Sequence, residues 1–98
     1  MRSYAAVWSD ADAIDSGRLD VHADRLELHG RERRLIVGFA QLASLSIARH
    51  REERLRGLPV LVLRGSNGAD IRIASLEGAG VLQEVSHAAE RAGLTPAA

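Results

Sequence analysis

Apolar and polar residues alternate at period two in short blocks punctuated by glycine, aspartate and serine, and this rhythm commits most of the chain to a string of short strands. The first block is Tyr4 to Ser9. A loop from Asp10 to Gly17 leads to a hairpin of Arg18 to His22 and Arg25 to His29. Folding that hairpin about Ala23-Asp24 sets Val21 opposite Leu26 and Leu19 opposite Leu28 on one face. Asp20 then faces Glu27 on the other, a like-charge pair that requires water or a nearby arginine. The hairpin is therefore expected to have one core face and one wet face.

After the turn Gly30 to Arg33 come the apolar run Leu35 to Phe39, a bend or single helical turn at Ala40-Gln41-Leu42-Ala43, and a strand from Ser44 to Arg49. A helix from Phe39 through Gly57 fails on pattern, because the face through Leu45 would continue to Arg49, Glu52 and Arg56. His50 to Gly57 reads as a charged loop. Pro59 to Arg64 and Ile71 to Ser75 form a second hairpin about Ser66-Asn67-Gly68. The period then changes: Val81, Leu82, Val85, Ala88, Ala89 and Ala92 recur at helical spacing, stopped by Gly93 and Pro96.

Ninety-eight residues make one domain, residues 1–98, with a core over about 4–93 and a short tail at 94–98. Thirteen basic residues balance thirteen acidic ones, which leaves no whole-molecule field to draw the protein to nucleic acid or anionic lipid. With no cysteine there is no disulfide, thiolate site or thiol nucleophile. No apolar stretch approaches the roughly 20 residues that cross a bilayer, and no signal-peptide pattern opens the chain, so the expected location is the cytoplasm.

Seven short strands in a meander closed by one amphipathic helix resemble the small bacterial pleckstrin-homology-like (PH-like) domains. The resemblance is carried by Gly17-Arg18-Leu19-Asp20-Val21, by Asp24 to Leu28, and by Ile36 to Ile47, where a strand bends through a short turn into the next sheet. It spans roughly Tyr4 to Ala92 and implies a mainly β fold, a bent seven-stranded antiparallel barrel capped by the C-terminal helix. The fold does not fix a function. Asp10, Asp12 and Asp15 stand where phosphoinositide-binding members place basic residues, which disfavours a membrane headgroup.

Two sets of residues are candidates for binding. Tyr4, Ala6 and Trp8 share one face of the first strand, which is either core or an exposed aromatic patch. In the second case Tyr4 and Trp8 form a partner surface. Arg31, Arg33 and Arg34 form one arginine cluster and Arg49, Arg51, Arg54 and Arg56 another. A simple up-and-down meander gathers both at one end with the aspartate loop, as an anion or phospholipid-headgroup site or as solvated ion pairs. His22, His29, His50 and His87 show no metal-ligand spacing, and His22 and His29, at opposite ends of a hairpin, are not expected to share an ion. Gly78-Ala79-Gly80 lacks the context of a phosphate cradle. No catalytic, metal or cofactor site is expected. The reading is a non-enzymatic interaction or regulatory module that binds an unidentified protein or self-associates through a barrel edge, with no nucleic-acid role.

Overall fold

The computed structural model describes residues 2–10, 13–48, 50, 54–78 and 80–94. Seven strands, β1 (Arg2–Ser9), β2 (Ile14–Val21), β3 (Arg25–Gly30), β4 (Arg34–Gly38), β5 (Leu42–Ala48), β6 (Val60–Gly65) and β7 (Asp70–Ser75), precede helix α1 (Gly80–Arg91). They form one antiparallel sheet in the order β4-β3-β2-β1-β7-β6-β5, curled into a half-barrel over the helix. This is the expected mainly β architecture. The hairpin register is as the alternation predicts, with Leu19 opposite Leu28, Asp20 opposite Glu27 and Val21 opposite Leu26.

Three features differ from expectation. β2 starts at Ile14 and absorbs half of the aspartate loop, because the eight residues of β1 are paired along their whole length, Trp8 with Asp15 and Ala6 with Gly17. The bend between β4 and β5 is a single tight turn, Phe39–Gln41, so β5 starts at Leu42. The loops are also not gathered as a simple meander would gather them. β4 and β5 follow each other in the chain yet occupy the two edges of the sheet and run in the same sense when it is laid flat. This inverts the remaining hairpin, so the β6–β7 turn, and not the segment between β5 and β6, lies beside the β1–β2 loop, with Gly68 and Ala69 adjoining Ser9 and Asp10.

The core lies between the concave face and the helix. Tyr4, Ala6 and Trp8 point inward with Leu19, Leu28, Leu61, Leu63 and Ile73, onto Leu82 and Val85. Burying each such aliphatic side chain contributes about 1.5–3 kcal/mol at most. The helix ends as its sequence dictates: Gly93 at φ 102° takes the left-handed conformation, Leu94 N–H donates to Ala89 and Gly93 N–H to Glu90. Leu94 folds back onto the core, whereas Ala92, expected on the apolar face, is exposed past the last turn.

A second, smaller cluster covers the outer face of β1. Val7, Val60 and Ala74 are roofed by Leu55 and Leu58, which exchange two backbone hydrogen bonds of 3.0 Å around Arg56-Gly57. Both central residues have positive φ, 51° and 77°, the geometry of a two-residue hairpin turn that requires glycine or its equivalent. The charged segment thus contains a small apolar clip.

Candidate functional site

Trp8 is only 1% exposed, with its indole inside the core, so it is not part of a partner surface. The alternation placed it correctly on one face with Tyr4. The identity of that face was decided by β7, which pairs Ile73 with Trp8 from the far end of the chain. Tyr4 is half-buried and its hydroxyl donates to Glu84 of the helix, whose carboxylate also takes Arg2 at 2.8 Å. That hydrogen bond raises the Tyr4 pKa above its ordinary value. Tyr4 therefore straps the helix to β1 and leaves no aromatic patch.

The arginines are divided between the two ends of the sheet. In the β3–β4 turn, Arg33 donates to Asp10 at 2.9 Å and the Arg31 backbone N–H donates to Asp15, so the aspartate loop holds this turn from beneath. Backbone N–H groups of Ser16, then of Arg31 and Glu32, overcome desolvation and lower the Asp15 pKa. Arg34 points instead over the outer face of β3 toward Glu27, 3.6 Å away. Arg54, which donates to the Gly57 carbonyl, and Arg56 lie at the other end, on the side of the β7–α1 connection. Arg49 and Arg51 lie outside the described residues. Among the described arginines the expected single surface is therefore not assembled, because the edge-to-edge crossing between β4 and β5 separates Arg31 and Arg33 from Arg54 and Arg56.

Two other features emerge. The first is the seam of the half-barrel. β4 pairs only with β3, and β5 only with β6, so each presents an edge. Between them opens a cleft of about 500 Å³ with Leu42, Leu63 and Ile71 as its floor, Ile36 and Val37 as one wall, and Gln41, Ser66 and Asn67 on the rim. Ile36 is 54% exposed, one of three large apolar side chains so exposed among the described residues.

The second is the convex face of the β2–β3 hairpin, which is not the expected wet face. Asp20 and Glu27 are buried, 3% and 9% exposed, beneath a lattice of cations. Asp20 accepts from the Ser3 hydroxyl at 2.7 Å and lies 2.9 Å from Arg18 Nε, while Glu27 accepts from Arg25 Nε at 3.0 Å. Desolvation is the largest influence on either carboxylate and raises its pKa. The Ser3 and Arg18 contacts at Asp20, and the Arg25, His22 and Arg34 contacts at Glu27, outweigh it and leave both below their ordinary values. His22 and His29 both reach this pair: His22 Nε2 lies 3.0 Å from Glu27, and His29 Nε2 lies 3.2 Å from Asp20 and 3.3 Å from Glu27. The two histidines, placed at opposite ends of the hairpin and not expected to share an ion, thus both contact Glu27, each at a different oxygen. Each is two residues from a carboxylate on its own strand, about 7 Å along the same face, and an imidazole spans most of that distance. The missed signal was the arrangement Arg18-Asp20-His22 against Arg25-Glu27-His29, with every ionisable residue on one face.

No family model and no curated protein matches this chain. Among solved structures it superposes on the C-terminal domain of an unknown protein from Leishmania infantum, with a TM-score of 0.76 over 92% of this chain and 83% of that one, at 9% sequence identity. Similarity at that identity establishes a shared fold and carries no activity with it.

Proposed function

We propose that the protein is a non-enzymatic interaction module with a PH-like architecture, and that it self-associates by adding the β4 edge of a second copy to its own. The observation that carries this reading is an unprotected edge: β4 presents Leu35, Ile36 and Val37 with no proline, lysine or bulge, beside an apolar cleft. Antiparallel pairing centred on Ile36 sets Ile36 against its counterpart and Arg34 against Gly38 of the other copy, so the edge meets itself without a like-charge clash. Main-chain hydrogen bonds would supply affinity and the cleft would take alternate side chains.

Sedimentation velocity of the full chain across a concentration series tests this. The expected result is a monomer–dimer equilibrium that Ile36→Asp weakens at least about tenfold, the equivalent of 1.4 kcal/mol, by placing two carboxylates opposite each other. A monomer at every concentration, or a dimer indifferent to Ile36→Asp, would remove the edge from consideration. Anion binding through the arginine loops has less support, since Arg31 and Arg33 lie apart from Arg54 and Arg56 and Arg33 is already engaged by Asp10.

A further inference from the structure

We propose that Asp20, His22, Glu27 and His29 form a binding site for a divalent transition-metal ion of the zinc class on the convex face of the β2–β3 hairpin. One ring nitrogen of His22 and one carboxylate oxygen each from Asp20 and Glu27 lie within 4.8 Å of one another, a spacing at which a single ion can be reached by all three. His29 approaches the same carboxylates from the opposite end at 3.2 and 3.3 Å. Asp20, His22 and Glu27 are the three donors already within reach of one ion, and His29, once its ring moves in, would complete a set of two imidazole nitrogens and two carboxylate oxygens suited to zinc, cobalt or nickel.

A second observation supports the same assignment. The Nε2 atoms of His22 and His29 are both sealed from solvent, and neither makes a hydrogen bond of acceptable geometry although each lies against a carboxylate. A ring nitrogen so placed can direct its lone pair at a cation lying between it and the oxygens. The arginines do not close the site. Arg18 contacts Oδ1 of Asp20 and leaves Oδ2 to His29, and Arg25 contacts Oε2 of Glu27 and leaves Oε1 on the side of His29. Asp20 thus turns Oδ2 toward His29 while Arg18 orients Oδ1 in the manner of an outer-sphere hydrogen bond, and Glu27 turns Oε1 toward His29 and Oε2, the oxygen that Arg25 orients, toward His22. Arg34, 3.6 Å from Oε1, is 60% exposed and can swing into water as an ion enters.

The experiment uses the untagged full chain at neutral pH. Cobalt(II) serves as the visible-absorption probe, zinc is the competitor, and thermal unfolding is the second readout. The expected result is saturable one-to-one binding, displaced by zinc, with an unfolding midpoint that rises with metal concentration. His22→Gln combined with His29→Gln should weaken binding at least about tenfold, whereas His50→Gln combined with His87→Gln should leave it unchanged. Should the first pair fail to fold, His29→Gln alone, at the more exposed ring, carries the same expectation of weakened binding. Absence of saturable binding, or binding that follows His50 and His87 instead, overturns the proposal.

Discussion

Trp8 is the largest fully buried side chain, and it sits where β1, β2 and β7 meet, so its removal leaves a void that backbone relaxation cannot fill. Trp8→Ala is expected to cost about 3–5 kcal/mol, read from urea unfolding, with indole emission in the native protein blue-shifted and independent of concentration. Asp20 leads to a different prediction. Its pKa and that of Glu27 are depressed in the folded protein, so their contribution to stability is complete above the unfolded carboxylate values near pH 4 and is lost as pH falls through the lower folded-state values. Their share of the unfolding free energy should therefore be level from neutrality down to about pH 5 and then fall. Asp20→Asn should lower stability at pH 7 and flatten that fall, as equilibrium denaturation at each pH would show. A steeper acid loss in the variant would contradict the assignment. At this scale the sequence was only partly informative. It displayed the opposition of Asp20 and Glu27, but not that Ser3 of β1 and Arg34 of β4 would join Arg18 and Arg25 in covering them.

Two elements have boundaries set by a single residue in a conformation that L side chains avoid. Gly57 completes the clip that holds Leu55 and Leu58 over Val7, and Gly57→Ala at φ 77° should cost about 1–2 kcal/mol, measured by thermal or chemical unfolding. The helix is predicted to act as the lid of the core. Leu82→Ala should cost about 2–5 kcal/mol, and a loss below about 0.5 kcal/mol, the level of an ordinary surface change, would mean the helix is not docked. Elements with a strong period were legible: the β2–β3 register, the second hairpin and the helix face all follow from spacing. The clip was not, because a charged run around Leu55-Arg56-Gly57-Leu58 carries its signal in one glycine and two leucines. The start of β2 was missed for the opposite reason. Asp15, Ser16 and Gly17 favour turns locally, and the pairing demand of β1 overrode that preference.

The candidate surfaces owe their positions to the arrangement of the whole sheet. Placing two consecutive strands on opposite edges creates the seam cleft, separates the arginines and makes β1 the centre of the sheet, joined to β2 on one side and β7 on the other. No local pattern announces that crossing, which is why the end at which the β5–β6 segment lies was misread, while the aspartate loop and the β3–β4 turn were rightly placed together and nearly every strand was found. Amide hydrogen exchange should reflect the same layout: β4 and β5 should open first, and β1 and β7 should exchange only with global unfolding.

The order in which the protein is made adds a further constraint. β1 leaves a ribosome well before the strand that covers its second edge, pairing Ile73 with Trp8 and Ser75 with Ala6. At about 5–20 residues per second, the nascent chain carries an uncovered tryptophan and an unpaired inner strand for seconds. It can form the β1–β4 meander in that interval, but it cannot hide its core until β7 and the helix have emerged.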